Sequence, residues 1–224
     1  MTTNLFGIKS QTIFKRSPVV RKMVRGFNKE TAARSIGDIS HGMECFGFTK
    51  GQFSKIDIIE HCLETTGPAD VSIITWSAST GDIQRAHAFL ENKLVKSIRF
   101  LVDFSFKARK PLFLAELVET FGQDAVRLTV VHAKSVLIRN ADWNIVVRTS
   151  MNLNYNPRFE NFEISESKLF ADFIQKIFDE IWSDSTLGEI LSTDVGPVQQ
   201  RFRRLYDLDG FSAQNVLDLI PATL

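Results

Sequence analysis

Three polar pairs carry the chemistry available to this chain: His132 with Lys134, Ser150 with Asn152, and Asn161 with Glu163. Side chains two apart on a strand point to the same face. Each pair lies beside an apolar run, Val136-Leu137-Ile138 or Ile145-Val146-Val147 among them. An imidazole, an ammonium, neutral hydrogen-bond donors and a carboxylate therefore converge on one polar pocket at the edge of a buried sheet.

The elements that must position those pairs follow from periodicity and punctuation. Val71–Trp76, Ile98–Phe104 and Val126–Val131 read as buried strands. Between them run helices from Asp82 to about Lys96 and from Pro111 to Phe121, the second opened by proline and closed by Gly122. Strand-helix-strand-helix-strand implies parallel strands with helices against the sheet. The carboxyl ends of such strands form the usual binding edge, which places Trp76, Ser77, Ser79, Asp103, Ser105 and His132 together. Ser54 caps a helix over Lys55–Thr65, ended by Gly67-Pro68. After His132 the rhythm changes to short strands, Val136–Arg139 and Trp143–Arg148, joined at Asn140-Ala141-Asp142. A strand near Phe162–Ser165 then leads into an amphipathic helix from Ser167 to Trp182. Arg21–Arg25 and Lys29–Ile36 read as short helices, and Phe46-Gly47-Phe48 as a turn.

Composition sets the frame. The chain has 224 residues, 44% hydrophobic and 24% charged, which suits an ordinary soluble globular protein. A net charge of +1 gives no global attraction to nucleic acid or acidic membranes. The charge is uneven, however: Met1–Lys55 is basic and Glu160–Asp194 acidic. The basic end either grips phosphates or is a solvated end paired with the acidic region. Cys45 and Cys62 lack metal-ligand spacing and read as reduced thiols. No apolar run approaches a membrane span and no signal-peptide core is present, so a soluble cytoplasmic protein is expected, with no membrane partner. The expected layout is a basic N-terminal extension (1–55), an α/β domain (56–183) and a helical C-terminal arm (184–224) suited to dimer formation.

In this order, His132-x-Lys134, Ser150-x-Asn152 and Asn161-x-Glu163 resemble the hallmark of the phospholipase D superfamily over roughly Val71–Trp182. The chain departs from that pattern twice: Arg139 stands where the family has an aspartate, and Thr149 where it has a glycine. The resemblance implies a mixed sheet flanked by helices, and a phosphodiesterase needing no metal and no cofactor. It further implies that His132 attacks phosphorus to give a phosphohistidine, with Glu163 orienting the ring. Lys134, Ser150 and Asn152 would stabilise the phosphate oxygens. Asn161, Trp76 and Ser77 would contact substrate, Trp76 by stacking on a base unless it is a core aromatic.

The mechanism that the resemblance implies needs a second histidine as general acid, and His41, His61 and His87 have no comparable context. Single-motif members solve this as homodimers, so a homodimer is expected. A small soluble chain of this kind resembles the nuclease branch, which makes DNA or RNA the expected partner. The run Arg148–Asn154 also resembles small members encoded by phages and mobile elements. Two other classes stay open: a nucleic-acid-binding or assembly protein that has lost turnover, and a lipid phosphodiesterase. A plain buried ion network, with His132 and Lys134 satisfied by Glu163, is the alternative to any site.

Overall fold

The computed structural model of the chain describes residues 19–26 and 31–183. In chain order the elements are β1 (Val20–Gly26), α1 (Ala32–Ile36), β2 (Met43–Thr49), α2 (Lys55–Thr66), β3 (Ala69–Thr75), α3 (Thr80–Glu91) and β4 (Val95–Asp103). They continue with α4 (Ser105–Arg109), α5 (Pro111–Phe121), β5 (Val126–Thr129), β6 (Ser135–Arg139), β7 (Asn144–Thr149), β8 (Glu160–Glu166) and α6 (Lys168–Ser183). The eight strands make one mixed sheet in the order β1-β2-β8-β7-β6-β3-β4-β5, flanked by helices. β3, β4 and β5 are parallel, as the alternation implies, while β6, β7 and β8 run antiparallel to their neighbours.

Side chains alternate between the two faces of the central strands. Leu137 and Val146 pack with Ala171 of α6. Val136, Ile138, Ile145 and Val147 turn to the other face, into the core that includes Ile58, Ile59 and Leu63 of α2. The stops are those the sequence prescribes. Gly67, at φ +65°, closes α2 with its N–H 2.9 Å from the Leu63 carbonyl, and Gly122 does the same for α5.

The structure corrects two expectations before Lys50 and keeps part of a third, since α1 lies within the helix expected over Lys29–Ile36. Arg21–Arg25 is not helical but lies in β1, and Phe46-Gly47-Phe48 is not a turn but the middle of β2. β2 pairs antiparallel with β8, Glu44 opposite Ser165 and Phe48 opposite Asn161, and parallel with β1, so both strands belong to the sheet. Gly47 is required there by packing: a Cβ on it would lie 2.7 Å from Cε1 of the buried Phe162 ring and 3.0 Å from Cβ of Val24. The expected C-terminal arm, 184–224, lies outside the described residues.

Candidate active site

Three parallel strands end side by side at one edge of the sheet, and their last residues build the frame. Asp103, at the end of β4, is buried. One of its carboxylate oxygens accepts from the Ser105 N–H (3.0 Å) and the Ser105 hydroxyl, the other from the Val131 N–H (3.0 Å). The 130–134 segment is thereby held against β4. His132 and Lys134 sit in this loop between β5 and β6, not on a strand as their spacing suggested, because β5 stops at Thr129.

The pair nevertheless comes together. Lys134 Nζ lies 3.1 Å from Nδ1 and 3.3 Å from Nε2 of His132, and donates to the His132 carbonyl at 2.7 Å. Burial lowers the Lys134 pKa, and the nearby Glu160 and Asp103 carboxylates oppose that shift. On the other side of the imidazole stands Trp76, ring centroids 5.8 Å apart. Arg109 caps Trp76, its guanidinium 3.6 Å above the indole centroid and its NH2 group 3.2 Å from the Trp76 carbonyl. Arg109 also donates to the Ser105 hydroxyl at 3.0 Å, which ties the cation to Asp103 through one side chain.

The turn after β7 supplies the second pair. The Thr149 N–H donates to the Lys134 carbonyl (3.1 Å), the Thr149 hydroxyl to the Asn161 carbonyl (2.6 Å), and the Met151 N–H to the same hydroxyl (3.0 Å). Threonine in place of glycine is thus used as a brace for the turn. Ser150 and Asn161 are joined twice, Ser150 N–H to Asn161 carbonyl (3.2 Å) and Asn161 N–H to Ser150 Oγ (3.0 Å). The Leu153 N–H reaches the Ser77 carbonyl (3.1 Å) and Thr75 Oγ1 (3.0 Å), so Ser77 contributes to the site through its backbone. Asn152 Oδ1 is buried without a hydrogen-bond partner among the described residues. A cleft of about 490 Å³ opens beside these groups, lined by Lys134, Arg148, Ser150, Asn161 and the α6 residues Phe173 and Ile177.

Glu163 pairs with Arg148 at 2.8 Å, and the carboxylate that receives the Ser150 hydroxyl is that of Glu160. A motif of the form Asn-x-Glu draws attention to Glu163. Glu160, at the start of β8, carries no sequence signal of its own. Lys55 is equally unannounced. It opens α2 and is fully buried, with Nζ 2.8 Å from the Ile74 carbonyl at the end of β3. Burial, reinforced by the charge of Lys134 and opposed by Asp82, brings its pKa down to about 7. Arg139, the residue in place of an aspartate, is at the far end of β6 from the site, paired with Asp172 of α6 at 2.6 Å.

The other histidines are engaged elsewhere. His41 stacks on Trp143 with centroids 4.0 Å apart, His61 Nε2 lies 2.9 Å from the Gly37 carbonyl, and His87 is 3.9 Å from Glu91. Among the described residues His132 is therefore the one imidazole at this edge. Also among the described residues, no group of three His, Cys, Asp or Glu side chains is arranged to hold a metal ion, and no helix is long and apolar enough to cross a membrane.

No family model matches the chain, and no curated protein matches it. Among solved structures it is similar to a polyphosphate kinase from Porphyromonas gingivalis, at 13% identity and a TM-score of 0.45, over 60% of this chain and 25% of that one. It is also similar to a phosphatidylserine synthase from Haemophilus influenzae, at 19% identity and a TM-score of 0.43, over 75% of this chain and 45% of that one. A third is TrmBL2, an archaeal chromatin protein described with a novel mode of DNA binding, at 11% identity and a TM-score of 0.36, over 57% of this chain and 48% of that one. The chain spans a quarter to a half of the length of these proteins, and at TM-scores under 0.5 the likenesses carry no argument about chemistry.

Proposed function

We propose that this edge of the sheet is one half of a phosphodiester-cleaving site of the phospholipase D type, acting on DNA or RNA. The observation that carries the reading is the Lys134 ammonium, 3.1 Å from His132 Nδ1 at the mouth of a cleft that Ser150 and Asn161 line. A ring nitrogen of His132 attacks phosphorus, the phosphorus–nitrogen bond forms, and the bond to the leaving oxygen breaks. Lys134, Ser150 and Asn152 meet the negative charge on the remaining oxygens. The leaving oxygen takes its proton from the equivalent histidine of a second copy of the chain, and water then releases the phosphate from His132. Asn161 and Trp76 flank the bound phosphodiester, with Ser77 holding the turn that carries Asn152. A soluble homodimer, working without a bound metal, is the form in which we expect this chemistry.

One observation favours a second reading. Glu163 is matched by Arg148, and among the described residues the polar group beside the His132 ring nitrogens is the Lys134 ammonium and not a carboxylate that would orient the ring. A protein that binds nucleic acid in this pocket without cleaving it would have the same arrangement. The two are separated by incubating the protein with single- and double-stranded oligonucleotides in EDTA, with His132→Ala as control, and by trapping phosphohistidine at position 132. Cleavage that His132→Ala abolishes supports the nuclease. Salt-sensitive binding with no cleavage and no phosphohistidine supports the binder. Light scattering that finds only monomer at micromolar concentration refutes the two-histidine mechanism.

A further inference from the structure

We propose that Glu160 sets the charge of the ligand: it lets the pocket accept the monoanion of a phosphodiester and turns away the dianion of a phosphomonoester or free phosphate. This rests on the phosphodiester reading above and deepens it, because it narrows the ligand to an interior diester and makes the rejected dianion the product.

The two glutamates of β8 are three positions apart, so they lie on opposite faces of the sheet. Glu163 is opposite Arg148 and pairs with it at 2.8 Å. Glu160, at the first position of β8 and opposite Thr49, shares the face of Phe162 and meets the pocket at the open end of the strand. Its carboxylate accepts the Ser150 hydroxyl, whose oxygen accepts from the Asn161 N–H at 3.0 Å. That carboxylate is not needed as a brace. The Ser150 N–H and the Thr149 hydroxyl already tie the turn to the Asn161 carbonyl, at 3.2 and 2.6 Å.

A carboxylate on this serine opposes an anion. Ser150 has one hydroxyl proton, and a phosphate oxygen that takes it must share the hydroxyl with Glu160. Two acceptors around one oxygen stand about 5 Å apart, near two hydrogen-bond lengths. The cations of the site are already drawn on. Glu160 and Asp103 both act on the Lys134 ammonium, and Arg148 is engaged by Glu163. Arg109 lies on the Trp76 ring, and Lys55 is buried with its Nζ on the Ile74 carbonyl. A diester brings one negative charge, which Lys134 meets. A monoester brings nearly two at neutral pH, and the second faces Glu160. Hydrolysis makes that change: a diester monoanion and water become an alcohol, a monoester dianion and one proton released to solvent. The carboxylate thus repels product more than substrate.

Dimethyl phosphate and methyl phosphate, which differ by one charge at about pH 8, test this. Binding to the full chain is followed by NMR at the His132 ring, a signal that His132→Ala assigns. The site is partly exposed, with Ser150 exposed and Glu160 half-buried. At an effective dielectric of about 30–80, one extra charge about 5 Å from Glu160 changes affinity roughly 4- to 40-fold. Wild type should bind dimethyl phosphate more tightly than methyl phosphate, and the opposite order would overturn the proposal. Glu160→Gln keeps an oxygen for the Ser150 hydroxyl and removes the charge, so the affinity for methyl phosphate relative to dimethyl phosphate should rise by that factor. Glu160→Asp keeps the charge and should hold the ratio near that of wild type. Melting curves verify that both variants fold. An unchanged ratio in Glu160→Gln overturns the proposal, and so does a ratio in Glu160→Asp equal to that of Glu160→Gln. Loss of both ligands in Glu160→Gln also overturns it, since Glu160 would then serve to keep Lys134 charged. If neither ligand reaches the His132 ring of wild type, the proposal and the phosphodiester reading fall together. A ratio that responds as expected in a protein that cleaves nothing retains the role of Glu160 and removes the nuclease. His132-dependent cleavage with an unresponsive ratio does the reverse.

Discussion

Replacing Lys55 by methionine should stabilise the protein at neutral pH and give that advantage up as the pH rises. The amine is fully buried against one carbonyl, and burial brings its pKa from 10.5 to about 7. Between those two values the unfolded chain holds a proton that the folded chain has released, so wild-type stability rises with pH across that window. Below about pH 7 both states are protonated, and the cost of the buried charge is present in full. At about 1.4 kcal/mol per pH unit, the climb from about pH 7 to about pH 9 amounts to roughly 2–3 kcal/mol in wild type. The methionine variant lacks this slope. It keeps the packing of the unbranched stem and loses one hydrogen bond, about 1 kcal/mol. Urea unfolding of both proteins at several pH values, with m held common, reads the difference directly. Parallel stability curves for the two proteins across the window would show that Lys55 does not sit neutral in the fold, and the argument would be wrong. Lys134→Met supplies the internal check: removing the second cation should raise the Lys55 pKa and move the onset of the slope to higher pH.

Asp103→Ala strips two backbone N–H groups of their acceptor and should lower stability by about 1–3 kcal/mol for each donor left buried. Melting curves measure that loss, and turnover or ligand affinity should fall with it because the His132 loop is released. Gly47→Ala forces a methyl into the Phe162 ring and should lower the melting temperature through a loss of about 1–3 kcal/mol, since a fully buried ring has little room to yield. Arg139→Ala removes an exposed pair with Asp172 and should change stability by less than about 1 kcal/mol and leave oligonucleotide cleavage as it was. A large fall in cleavage would show that the exchange at position 139 bears on the site.

The central α/β alternation was legible because its punctuation is strong. Pro111 and Gly122 bracket α5, Ser54 and Gly67 bracket α2, and β3 and β4 each hold a short apolar stretch, Ile73-Ile74 and Phe100-Leu101-Val102. β1 and β2 were not legible. An edge strand in which Arg21, Lys22 and Arg25 break up Val20, Met23 and Val24 has no apolar period to read, and Gly47 mimics a turn until the ring of Phe162, over a hundred residues later, explains it. The polar pairs were found by spacing alone, yet His132 and Lys134 meet across a loop that Asp103 ties down, and not on a strand face. Glu160, Arg109 and Lys55 escaped because each acts through a partner distant in sequence. A lysine at the first position of a helix reads as a solvated charge, and only the tertiary structure puts it under β3.

The pairing of β2 with β8 sets a timetable for the growing chain. Glu44 and Ser165 lie 121 positions apart (165 − 44). At a synthesis rate of about 5–20 residues per second, β2 waits roughly 6–24 seconds for the strand that covers its inner border. Throughout that interval Phe46 and Phe48 stand on an unpaired edge, a template for pairing with another chain. No chain made only as far as β7 can hold the site, because Glu160 and Asn161 arrive on β8 and the α6 residues that line the cleft arrive later still. Nascent chains are thus exposed to misassociation through those rings, and the hazard ends only when β8 docks.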